Sequence, residues 1–138
     1  MNASNRVTVF FYGLFMDADM LTSRGFTPAR VRRAVVSDFA LRLGRRATMI
    51  EHRGSVVHGM VMDMSLEDLK KLYADSTLTE YRPMTVPAAI VGGDRIEAVA
   101  YVLPRPPSEG EGNPDYAAKL RDLCRRLQFP ATYIRTIA

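Results

Sequence analysis

The sequence predicts a single α+β domain. Three observations carry that expectation. Residues 7–12 and 55–64 are β-branched and aromatic runs of strand length, and residues 80–89 and 95–103 are two further alternating runs split by a Val-Gly-Gly-Asp turn. Between and after them, residues 66–73 and 116–127 repeat apolar side chains at three- and four-residue spacing. A chain of 138 residues with 47% hydrophobic content can bury a core without disulfides or a structural metal. The expected domain therefore spans 1–138.

The elements follow in order. Residues 7–12, VTVFFY, read as a buried strand that stops at Gly13 and feeds a loop. A short helical turn is expected over 17–22, ended by Gly25 and Pro28. Residues 34–43 form a second strand with Val35, Phe39, Leu41 and Leu43 on one face and Asp38 and Arg42 on the other. Gly44, Arg45 and Arg46 mark a turn. Residues 55–64 are a strand whose central Gly59 leaves room for a bulge or for close approach of another group. Ser65 caps the next helix, with Asp68 at its positive end and Leu66, Leu69, Leu72 and Tyr73 as its buried stripe, ending near Ala74. After a loop at 75–79, strands 80–89 and 95–103 pair across the 91–94 turn. The proline- and glycine-rich stretch 104–113 is an exposed loop. Asn113 and Pro114 open a helix with the stripe Tyr116, Leu120, Leu123, Cys124 and Leu127, closed by Pro130.

Composition removes several function classes. The apolar runs are far shorter than the roughly 18–20 residues of a membrane span, and no signal-peptide pattern opens the chain, so a cytoplasmic location is expected. One cysteine and two histidines give neither an internal disulfide nor metal-ligand spacing. The net charge is +4, and most of the arginines lie in the first half, which permits an anionic partner. These arginines are spread over several elements without aromatic interleaving, which argues against nucleic acid.

Four segments, in this order, resemble the gamma-glutamylcyclotransferase-like family. FFYGLFM at 10–16 is similar to its Tyr-Gly-Ser-Leu loop, VVHGMVM at 56–62 to its strand with a central glycine, and EYRPMTV at 80–86 to its Tyr-x-Arg segment. PDYAAKLRDLCRRLQFPATYI at 114–134 is similar to its final helix and closing tyrosine. The resemblance implies a small mixed β-barrel with packed helices, a cavity at the end of the first strand, and no cofactor. It also implies a reaction that converts a gamma-glutamyl amine or peptide into 5-oxoproline and a free amine.

That chemistry needs amides to hold a carboxylate and a base to move a proton from the substrate's ammonium group to the leaving amine. By resemblance, Gly13, Leu14 and Phe15 offer the amides, while Tyr12 and Tyr81 line the cavity. Leu14 stands where a serine is usual. The family's glutamate falls six to eight residues before the tyrosine matching Tyr81, where this chain has Tyr73, Ala74 and Asp75. Asp75 is the first candidate base, although its reach is shorter than glutamate's by about an ångström and a half. Glu80 is the second, but strand alternation would point it away from a cavity that Tyr81 lines. His58 reads as a core histidine and Cys124 as a small hydrophobe. Three functions follow: a cyclotransferase, a non-catalytic descendant that binds a small anionic metabolite in the same cavity, or, with least support, an interaction module whose basic face docks on an acidic partner.

Overall fold

A computed structural model describes residues 6–76, 78–108 and 110–138. Thr77, in the expected 75–79 loop, and Glu109, in the 104–113 loop, lie outside the described residues, as do residues 1–5. Five strands close into a barrel: β1 (Arg6–Phe11), β2 (Ala29–Leu43), β3 (Ala47–Ser65), β4 (Arg82–Ile90) and β5 (Arg95–Val102), in the order β1-β3-β2-β4-β5. Every neighbouring pair is antiparallel except β1 with β5, which run parallel at Val9 and Val99, so the barrel is mixed. Helices α1 (Ala18–Ser23), α2 (Leu66–Leu72), α3 (Pro114–Arg126) and α4 (Ala131–Ile134) pack around it, and a short 3-10 turn, Leu14–Met16, follows β1.

The core has two parts. One is built from strand residues and Tyr12, which directly follows β1; it includes Phe10, Val36, Val57, Val61, Val86 and four alanines, Ala34, Ala88, Ala98 and Ala100. It fills the barrel, and the alanines fit because the interior of a five-stranded barrel is narrow. The other joins the outer side of the strands to the helices, through Val9, Phe11, Met60, Met62, Met64, Leu69, Leu120, Leu123 and Cys124. Strand β1 therefore buries both faces, which is why its sequence is a continuous apolar run and not an alternating one.

The helix boundaries follow from their caps. Asp17 accepts the Met20 amide at 3.2 Å, Ser65 accepts the Asp68 amide at 3.0 Å, and Asn113 accepts the Tyr116 amide at 3.1 Å. Gly59 sits at a close approach: a Cβ there would lie 2.3 Å from the Phe11 carbonyl oxygen and within 2.9 Å of the Phe10 ring.

Four expectations need correction. Strand β2 begins at Ala29 and buries Ala34 and Val36, with Val35 only partly covered. Asp38 is the reason: its φ of 64° breaks the register between Ser37 and Phe39, so the inward parity changes there. Strand β3 starts at Ala47, because Ala47 to Glu51 pair with Leu43 to Phe39, and residues 52–55 are an excursion before pairing resumes at Val56. The polar EHRG sequence hides that continuity. Leu66, at the first turn of α2, is 43% exposed and leaves the buried stripe to Leu69 and Leu72. Glu80 and Tyr81 precede β4 in a turn and are not strand residues.

Candidate functional site

Where β1 ends, the chain leaves the barrel at Tyr12 and Gly13 and opens a cavity of about 190 Å³. Tyr12, Gly13, Leu14 and Phe15 line it from the first loop, Arg45, Arg46 and Ala47 from the β2–β3 turn, and Tyr73, Leu78 and Tyr81 from the segment joining α2 to β4. Tyr101 of β5 and Tyr116 of α3 complete the wall, so five of the protein's six tyrosines meet here. Leu14 and Phe15 line this space without filling it.

Tyr73 is the centre of the aromatic wall. Its ring stacks on Tyr101 with centroids 4.2 Å apart, and it meets Tyr81 and Phe15 in tilted and edge-on contacts at 5.8 Å and 5.9 Å. Three hydroxyls are tied to the backbone. Tyr12 donates to the Tyr101 carbonyl at 2.7 Å, Tyr81 donates to the Ala47 carbonyl, and Tyr116 accepts the Leu14 amide at 3.1 Å. The Leu14 amide, one of the three expected to hold a carboxylate, is thus engaged by Tyr116. A Cβ on Gly13 would come 2.5 Å from that same hydroxyl, so a side chain there would displace the phenol.

Burial raises the pKa of all five phenols above the ordinary tyrosine value. For Tyr81 the neighbouring Tyr116 adds to the rise and Arg46 opposes it. At neutral pH the cavity therefore presents protonated phenols and guanidinium groups. Tyr12 and Tyr81 already give their single O–H to backbone carbonyls, so donors to an anion or an amide oxygen come from the other phenols and the guanidinium groups. Among the described lining residues there is no carboxylate to take a proton from an ammonium.

Tyr12, Gly13, Leu14, Phe15 and Tyr81 are thus brought together, while the two candidate carboxylates stand outside the lining. Asp75 is exposed. The reason is helical geometry: Tyr73 lies four residues after Leu69 and continues the inward stripe of α2, so the phenol turns toward the barrel and Asp75 follows beyond the helix end. Glu80 is exposed and pairs with Arg46. His58 lies away from the cavity, half-buried against the Phe129 and Tyr133 rings, and burial lowers its pKa. Cys124 is fully buried, and burial pushes its thiol up to about 12. Among the described residues no group of His, Cys, Asp and Glu side chains could hold a metal ion, and no helix is long and apolar enough to cross a membrane.

Sequence reasoning missed Arg45, Arg46, Tyr73, Tyr101 and Tyr116 as cavity residues. Tyr73 and Tyr116 carried a usable signal: each stands at one end of an apolar helical stripe, where a tyrosine can bury its ring and present its hydroxyl to a pocket.

Comparison with known proteins agrees with this architecture. The chain is similar to the structure of an uncharacterized protein from Homo sapiens, with a TM-score of 0.77 and 20% identity over 96% of this chain and 86% of that one. It is also similar to YkqA from Bacillus subtilis, with a TM-score of 0.74 and 22% identity over 96% of this chain and 52% of that one. A third similar structure is a gamma-glutamyl cyclotransferase specific to glutathione from yeast, with a TM-score of 0.70 and 13% identity over 96% and 94%. Comparison with curated proteins gives no match. A family model described as gamma-glutamyl cyclotransferase, AIG2-like matches residues 9–119, from the cavity-forming strand β1 into α3. That span is well over half of the chain, and the protein belongs to the gamma-glutamyl cyclotransferase, AIG2-like family.

Proposed function

We propose that this chain binds a small anionic metabolite of the gamma-glutamyl type in the tyrosine-lined cavity and holds it without cyclising it. The observation that carries this reading is the composition of the wall: among the described residues its polar side chains are phenols and two guanidiniums, with no carboxylate. Cyclisation requires a base within hydrogen-bond reach of the substrate's ammonium group, and phenols whose pKa is raised by burial remain protonated. Binding an acid requires donors, which the wall has. Family membership supports the ligand class.

A second reading, that the protein is a cyclotransferase releasing an amine and 5-oxoproline, is favoured by the same membership and by the position of Asp75. The aspartate lies between Tyr73 and Leu78, both of which line the cavity. In that reading Asp75 or Glu80 takes the proton from the alpha-ammonium group, the freed nitrogen attacks the side-chain carbonyl, and the proton passes to the leaving amine.

One experiment separates the two. Purified protein is titrated calorimetrically with a panel of gamma-glutamyl amines and dipeptides, and the same mixtures are assayed for 5-oxoproline by mass spectrometry, with Asp75→Asn and Glu80→Gln alongside. Saturable binding without product is the expected result. Product from the native protein that one substitution abolishes would replace the binding-only reading and name the base.

A further inference from the structure

The cavity does not end at its aromatic wall. Arg46 lines it and also lines two depressions beside it, one with Glu80, Arg82 and Arg105, the other with Arg45, Arg105 and Glu111. Among the described residues four guanidiniums thus gather on the rim, from the β2–β3 turn, the start of β4 and the segment after β5, against two carboxylates in the lining.

The carboxylates are already committed. Glu80 pairs with Arg46, and Glu111 accepts the backbone amide of Arg45 at 2.7 Å. Arg82 donates to the Thr79 and Tyr81 carbonyls at 2.8 Å and 3.0 Å through Nη1 alone, and its planar group has further donors. Arg45, Arg82 and Arg105 are all exposed. The rim is also held in place: Arg42 donates to the Pro107 carbonyl at 2.8 Å and Asn113 to the Gly44 carbonyl at 3.0 Å, so the segment after β5 is fastened to the turn that carries Arg45 and Arg46.

We propose that this rim is a subsite for a doubly negative tail, either a phosphate monoester or a pair of carboxylates, on a ligand whose other end occupies the cavity. The inference rests on the cavity reading above and adds the chemistry of the ligand's outer end. Guanidinium groups suit both anions because their forked donors match two oxygens at once. Exposure limits each contact, so the preference over a neutral tail is about three- to tenfold at low salt and shrinks as salt screens it.

The test compares three probes by calorimetry at low and at physiological salt: gamma-glutamyl-ethylamide with a neutral tail, gamma-glutamyl-aspartate with two carboxylates, and gamma-glutamyl-O-phosphoethanolamine. The doubly charged probes should bind more tightly than the amide. Arg105→Gln and Arg82→Gln should each bring the ratio of affinities toward one, and the better of the two charged probes tells phosphate from carboxylate. Equal affinity for all three, or a ratio unchanged in the double variant, overturns the subsite while leaving the cavity reading intact. Failure of all three probes to bind overturns both.

Discussion

At the scale of single residues, the site depends on positions where a side chain is missing or where a phenol turns inward. Gly59 lets the Phe11 carbonyl and the Phe10 ring come close, and so fixes the path of β1 into the cavity floor. A methyl group there meets backbone, which cannot rotate away. Gly59→Ala should cost about 1–3 kcal/mol, the usual range for overpacking a filled core. Urea denaturation monitored by circular dichroism measures it, and a loss below a few tenths of a kcal/mol would show that the strands separate without strain. Tyr73 makes the opposite point. It fills the inward position after α2 with a phenol that burial keeps protonated well above neutral pH, so it adds no proton acceptor to the wall.

At the scale of elements, the bulge in β2 decides which side chains enter the barrel. Asp38 adopts a φ of 64° and its carboxylate accepts the Gly54 amide at 3.0 Å, tying the bulge to the excursion in β3. Asparagine tolerates that conformation and keeps an acceptor oxygen, whereas a β-branched residue does neither. Asp38→Asn should be nearly neutral and Asp38→Val should cost about 2 kcal/mol, combining left-handed strain with a lost hydrogen bond. Equal stabilities for the two variants, again by urea denaturation, would separate the bulge from the register of the hairpin.

At the scale of the whole molecule, the gathering of tyrosines gives stability a defined dependence on pH. Each cavity phenol has a folded-state pKa raised above the ordinary value of 10.0, chiefly by burial. Below that value folded and unfolded chains both keep these protons, and the stabilisation is fully present. Above it the unfolded chain releases protons that the folded chain retains, so stability falls as the solution becomes more alkaline. The thermal midpoint should change little from these groups between pH 7 and 9 and drop steeply beyond pH 10. A midpoint that stays level to pH 11 would mean that the phenols ionise in place.

Local chemistry was enough to read most of the architecture. The strands β1, β4 and β5, the turn at 91–94 and the capped starts of α2 and α3 follow from patterns that lie within a dozen residues, so the sequence alone determined them. The resemblance of four short segments extended this to a mixed barrel, since their order is also local information. Tertiary structure decided the rest. The parity of β2 depends on a backbone conformation at Asp38 that its neighbours do not announce. Closure of β1 against β5 joins residues some ninety positions apart. The cavity is assembled from five separated segments, and which of them faces inward is settled by packing between elements, as with Tyr73 and Asp75, two residues apart yet on opposite sides of the site's boundary. Side-chain identity was legible throughout; convergence in space was not, because it arises from contacts between distant parts of the chain that no local period encodes.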